Sequence, residues 1–295
     1  MKEEKNILIA FILNLAFSIF EFFGGILTNS VAIISDAIHD VGDSLSIGIS
    51  YFLEKKSKKK PDDIYTYGYM GYSVIGSLIT TLILLVGSIF VVINAVKRII
   101  NPVEINYNGM IIFAIVGVVV NFFAAYKTKD GSSLNQKAVN LHMLEDVLGW
   151  FIVLIGAVVM RFTNIRAIDP ILSILVAIFI FINALKNFKI ILDLFLEKTP
   201  REIKIEEIKK HIMEIKTVID VHHIHVWSID GINNYATMHV VANLKDMEKL
   251  KKEIKQELKE HRINHTTIEM ETASSKCCEE ECKIIKANKI HHHHH

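Results

Sequence analysis

The hydrophobic pattern divides the chain in two. Up to residue 195 the apolar positions fall in six long runs, at 7–27, 31–53, 73–96, 107–126, 138–160 and 167–185. Each reaches or approaches the ~20 residues an α-helix needs to cross about 30 Å of hydrocarbon. Amphipathic helices of a water-soluble protein would alternate apolar and polar faces, and six runs with so little interruption do not. The first run lacks a small-residue cleavage site and five more follow it, so it reads as a span and not as a removable signal peptide. Residues 1–195 are therefore expected to form a polytopic α-helical membrane domain of six transmembrane helices.

After Thr199-Pro200 the pattern becomes charged and periodic. Ile205, Ile208, Ile212 and Ile215 make one helical stripe, and Met247, Leu250, Ile254 and Leu258 make another. Between them 218–229 and 235–243 alternate as strands around the Asp230-Gly231 turn, and 265–271 supplies a last strand. The order predicts a small α+β domain over 199–272, ferredoxin-like in its αββαβ sequence, with helices on one face of a sheet. A domain of this size buries little surface alone, so it is expected to pair with a second copy as a homodimer. Residues 273–290 read as a flexible cysteine-containing tail, and 291–295 as an expression tag.

Composition narrows the function classes. The chain has 295 residues, 51% hydrophobic, with 33 basic and 32 acidic residues. That balance gives no bulk positive field, so nucleic acid is not an expected partner. The three cysteines, Cys277, Cys278 and Cys282, all lie near the C-terminus and staple nothing. Basic residues fix the expected orientation. Lys55, Lys56, Lys58, Lys59 and Lys60 follow the second run, and Lys127, Lys129 and Lys137 separate the fourth from the fifth. The opposite loops carry only Lys97 and Arg98, then Arg161 and Arg166, which puts both termini in the cytoplasm of a cell (inner or plasma) membrane.

Ionisable residues stand where they cost most. In the second run Asp36, His39, Asp40 and Asp43 fall on one helix face, and in the fifth His142, Glu145 and Asp146 do the same. Each such group at a helix centre costs about 2.5–3.5 kcal/mol on insertion scales, so these faces are expected to line a bundle interior or a wet cavity. A polar clamp between helices needs one pair; two carboxylate-rich clusters exceed it. The spacing His-xxx-Asp occurs twice, at His39/Asp43 and His142/Asp146. Two imidazoles and two carboxylates suit a tetrahedral ion of borderline softness, Zn²⁺ before Mn²⁺ or Mg²⁺. The other register, Asp36-xxx-Asp40, would give a harder, oxygen-rich site.

These motifs together resemble the cation diffusion facilitator family. The segment from Ser30 to His39 is similar to the start of the second span in its zinc branch, and Tyr65-Thr66-Tyr67-Gly68, Asp169-Pro170, His225-Val226-Trp227 and Thr237-Met238-His239 match further along. The resemblance covers about residues 5–272. It implies a homodimeric exporter of divalent metal driven by counter-moving protons, with residues 1–195 as the transport domain. Carried over residue by residue, the transport site is His39, Asp43, His142 and Asp146. Zn²⁺ is then cargo and a possible regulator, and no prosthetic group is expected. The stretch from Asp62 to Tyr69 contains no histidine, which puts in doubt an extra metal site that some members carry there.

Within 199–272, His222, His223, His225 and His239 fall on neighbouring strands with Glu269 and Glu271 on the last. Alternation would send Ile224 and Val226 to the helices and His223, His225 and Trp227 to the other face. A regulatory metal site held by His222, His239 and Glu271 is what the family resemblance implies, set against a polar, dimer-facing sheet edge. His211 and His261 read as solvated helix positions, and Asn14, Glu21 and Asn121 as contacts inside the bundle. The expected function is proton-coupled Zn²⁺ export. Its near rival is export of Mn²⁺, Fe²⁺, Co²⁺ or Cd²⁺. Rivals of another class are an intramembrane metallohydrolase using Glu145 as base, and a membrane-anchored metal sensor.

Overall fold

The computed structural model describes residues 2–28, 31–101, 107–163, 168–243 and 247–274. They form two compact units, Met1–Phe195 and Leu196–His295. The first contains six long helices: α1 (Lys2–Thr28), α2 (Val31–Ser57), α3 (Gly71–Ile100), α4 (Tyr107–Thr128), α5 (Leu134–Thr163) and α6 (Ile168–Phe195). The first five apolar runs lie in α1 to α5 and the sixth, from 168 on, in α6; several helices continue past them, α2 to Ser57 and α6 to Phe195.

The bundle buries many polar residues beside its apolar clusters and exposes many large apolar ones. Helix α3 buries Ser73, Gly76, Ser77, Thr80, Thr81 and Ser88 while Ile75, Leu82, Val86, Ile89 and Phe90 face outward. Small residues allow close helix approach, and hydroxyls bond across the contact: Ser50 and Thr80 join α2 to α3 at 2.7 Å. Asn187 of α6 likewise donates to Thr81 of α3 at 2.6 Å. A soluble protein would not present that exterior to water. Among the described residues, segments of four helices, Lys5–Phe23, Gly71–Ile100, Ile111–Thr128 and Leu134–Thr163, are long and apolar enough to cross a membrane. In α2, Asp36, Asp40 and Asp43 dilute the apolar stretch.

The second unit runs α7 (Ile205–Met213), β1 (Val218–Ser228), β2 (Asn234–Ala242), α8 (Met247–Glu260), β3 (Ile263–Glu271). The sheet has order β1-β2-β3, with β1 antiparallel and β3 parallel to β2. Asp230 makes the hairpin turn by accepting the Ile232 and Asn233 amides at 2.9 and 2.7 Å, and Gly231 takes φ +80°. Ile208, Ile212, Leu250, Ile254 and Leu258 pack on Val221, Val226, Met238 and Val240, so both helices cover one sheet face. Ile215 lies beyond the end of α7 yet still packs against this core.

Strict alternation fails in β1. The register steps from His222↔His239 to His225↔Thr237, three residues against two, and His223 takes φ +49°. This bulge keeps His222 and His223 on one face; Val221 joins the expected Val226 in the core, and half-buried Ile224 packs against it as expected.

Candidate metal centre

Helices α2 and α5 bring Asp43, His142 and Asp146 together, one ligand atom from each lying within 4.8 Å of the others. Asp43 and His142 are 5% and 4% exposed. His142 Nε2 is 3.8 Å from Asp43 Oδ2 and its Nδ1 is 3.9 Å from Glu145 Oε2, and neither nitrogen has a hydrogen bond among the described residues. A buried imidazole so placed costs about 1–3 kcal/mol per unsatisfied group, unless a ligand takes it up. Glu145 joins the three in lining a cavity that Ile83, Leu84 and Gly87 of α3 close. His39 and Asp36 lie on α2, but their side chains fall outside the described residues. Asp40 is half-buried and stands outside the cluster.

Local chemistry sets these helices in place. Ser133 caps α5, its hydroxyl accepting the Gln136 amide at 3.1 Å. Asn140, two residues before His142, donates to Ala125 O at 2.7 Å and Thr128 Oγ1 at 3.0 Å, which fastens α5 to the end of α4. Asn14 of α1 donates to Ser44 Oγ at 3.2 Å, beside Asp43. Trp150 sits one turn beyond Asp146; it packs edge-on against Phe17 and so close to Gly117 that a Cβ there would meet the indole at 2.5 Å. Towards the start of α5, buried Glu54 accepts Ser73 Oγ at 2.8 Å and Asn135 Nδ2 at 3.3 Å. That junction ties α2, α3 and α5 into one frame.

The loop before α3 closes without histidine. Asp62 Oδ1 accepts the Ile64 and Tyr65 amides, while Oδ2 accepts Lys59 Nζ at 3.0 Å and the Tyr69 hydroxyl at 2.7 Å. The Tyr65 amide, then the Tyr69 hydroxyl and Lys59 ammonium, hold this carboxyl well below its ordinary value. A lowered carboxyl stabilises above its unfolded value of about 3.9 and loses that effect only as pH falls through the lowered one. Asp62→Ala should therefore speed deuterium exchange across the loop several-fold at neutral pH. In the parent chain the protection should survive acidification through pH ~4 and fade only below it. Exchange in Asp62→Ala indistinguishable from the parent would show that these bonds do not order the loop.

In the second unit the bulge gathers His222, His223 and His239, whose ring centroids lie 4.9–5.3 Å apart. Glu271 approaches His239 Nδ1 at 2.7 Å and His222 Nε2 at 3.4 Å, and Glu269 lies 3.3 Å from His239 Nε2. His222, His239 and Glu271 thus share one face, away from the helices, while His225 is exposed and pairs with Thr237 outside the cluster. Sequence reasoning missed His223 as a member. His211 is exposed on α7 as expected, whereas His261 is half-buried just past α8, and both meet Glu257, a grouping that sequence reasoning missed. Cys277, Cys278, Cys282 and the rest of the tail from 275 on lie outside the described residues.

Comparison with known proteins covers both units. Residues 7–196 match the profile of the cation efflux transmembrane domain, and residues 200–273 that of the cation efflux protein cytoplasmic domain. A cadmium, cobalt and zinc/H(+)-K(+) antiporter of Bacillus velezensis is 31% identical, over 99% of this chain and 96% of its own. Zinc transporter ZitB of Yersinia pseudotuberculosis is 34% identical over 99% of this chain and 95% of its own. The metal cation efflux system protein CzcD of Cupriavidus metallidurans is 30% identical over 92% and 87%. These relatives are transporters, not enzymes, which removes the metallohydrolase reading of Glu145. The chain belongs to the cation efflux family, the cation diffusion facilitators, and is a multi-pass membrane protein that moves divalent metal ions.

Proposed function

We propose that this chain exports Zn²⁺ from the cytoplasm in exchange for protons, with His39, Asp43, His142 and Asp146 as the transport site. One observation carries the reading: buried Asp43 and His142 and half-buried Asp146 converge from two helices onto one cavity. With His39 from the turn before Asp43, the donor set is two imidazoles and two carboxylates, which favours Zn²⁺ over harder ions. Metal binding needs neutral imidazoles, so loading expels protons and protonation aids release. Rocking of the bundle around this buried site would supply alternating access.

All six helices of the first unit span the membrane in this reading, with both termini cytoplasmic. The lysines of 55–60 and 127–137 support that orientation. Residues 199–272 form a ferredoxin-like domain that pairs two copies and senses metal through His222, His239 and Glu271. The relatives' names, which include zinc transport and H(+)-linked antiport, agree with the cargo and the coupling.

Uptake of Zn²⁺ by proteoliposomes tests the proposal, and His142→Asp tests the ligand. Replacing imidazole by carboxylate should shift competition towards Mn²⁺, on the order of tenfold, while the protein still assembles. Unchanged Zn²⁺/Mn²⁺ preference would count against His142 as a ligand.

A further inference from the structure

The two helices of the second unit meet over an apolar floor of Ile208, Ile212, Ile254 and Leu258. At its rim three metal-binding side chains converge. His211 comes from the last turn of α7, Glu257 from the last turn of α8, and His261 follows Glu257 by four residues. That i, i+4 spacing repeats the one joining His142 to Asp146, and it places both side chains on one face. His211 Nδ1 lies 3.0 Å from Glu257 Oε1 and 2.9 Å from His261 Nε2, and the latter two atoms are 3.6 Å apart. A single ring nitrogen with one proton at most cannot satisfy a second imidazole and a carboxylate equally well. A divalent ion satisfies all three. Ligands bound at 2.0–2.1 Å around a tetrahedral ion stand about 3.3 Å apart, and the three edges of this triangle bracket that value. The His211 side chain is 43% exposed, so the fourth position opens to water.

We propose that His211, Glu257 and His261 form a three-ligand site for a borderline divalent cation such as Zn²⁺, which clamps α7 to α8. It lies on the helix layer, whereas the His222/His239/Glu271 cluster lies on the sheet face turned away from those helices. One ion there is separate from one in the sheet cluster. By joining α7 to α8 beyond their apolar floor and the His211–Glu257 contact, it makes the stability of this unit depend on metal concentration.

The full-length chain in detergent, with residues 291–295 removed so that the histidine run binds nothing, provides the test. Equilibrium dialysis against Zn²⁺, and titration with Co²⁺ read by its visible absorption, give the number of ions bound per chain. His211→Ala and Glu257→Gln should each bind one ion fewer per chain than the parent, or bind it at least tenfold more weakly. Their metal-free melting temperatures should match the parent's, and the rise that Zn²⁺ produces in the parent should be smaller. Stoichiometry, Co²⁺ spectrum and Zn²⁺-induced melting shift all equal to the parent's in both variants would overturn the site and leave a hydrogen-bonded rim. Because these readouts measure binding and not transport, their failure leaves the export proposal standing, and failed transport leaves this site standing.

Discussion

Asp43→Ala and Asp146→Ala should each bring Zn²⁺ transport in proteoliposomes down to the level of protein-free vesicles. Each removes a charged oxygen donor from a buried cluster whose atoms lie within 4.8 Å of one another. Loss of a mere outer-shell partner of a metal ligand costs about 10–100-fold in affinity, and a directly ligating carboxylate should cost at least that. The loss also leaves His142 facing the ion with one fewer negative neighbour. Assembly should survive, because the contacts that frame the site involve other residues: Asn14 with Ser44, Asn140 with Thr128, and Glu54 with Ser73 and Asn135. Size-exclusion profiles of the two variants should therefore match the parent. Asp40→Ala is the control, since Asp40 is half-buried and outside the cluster. It should retain most of the transport. If Asp40→Ala is inactive while Asp43→Ala transports, the register on α2 is the other one and Asp36 and Asp40 hold the ion.

The spacing of His142 and Asp146 was legible because a helix converts i, i+4 into a shared face without help from the rest of the fold. Which carboxylate of α2 meets them was not, since that depends on how α2 turns against α5. Helix ends were also poorly marked. Hydropathy reports where the chain is apolar, and α2 continues as a helix through Glu54, Lys55, Lys56 and Ser57, while Lys186, Asn187 and Lys189 interrupt the apolar run inside α6. In β1 the alternation rule failed at the bulge: His223 takes a positive φ without being glycine, so no residue there announces the extra position. The result is that His222 and His223 face the same way, where a regular strand would separate them. His211 and His261 were read as solvated because each is polar and lies off its helix's apolar stripe. Stripe analysis cannot say which polar rims two helices bring together. The one available signal was Glu257 four residues before His261, the same spacing that marks the membrane cluster.

An imposed pH gradient should drive Zn²⁺ into the acidic compartment of proteoliposomes, whichever way the protein is inserted. The reason lies in the donor set. An imidazole binds Zn²⁺ only in its neutral form, so in the proposed site His39 and His142 would release protons when the ion loads and take them up when it leaves. In that proposal proton competition favours release of the ion on the acidic side and loading on the alkaline side. With the membrane potential clamped by an ionophore, only the two concentration gradients remain. Each pH unit is then worth about 1.36 kcal/mol per proton exchanged, so every proton moved per ion multiplies the equilibrium Zn²⁺ ratio about tenfold per unit. A gradient of one unit should thus separate exchange of one proton, with a ratio near ~10, from exchange of two, with a ratio near ~100. The measurement is Zn²⁺ uptake, followed by an internal fluorescent indicator, under acid-inside, acid-outside and symmetric conditions. Acid inside should raise the initial rate and the plateau, and acid outside should lower both below the symmetric case. His142→Gln, which removes one proton-exchanging group while keeping a polar side chain, should flatten the dependence more than a variant at half-buried Asp40 does. Equal rates and plateaus under both gradients would remove proton exchange from the mechanism and leave a passive facilitator whose direction is set by Zn²⁺ alone.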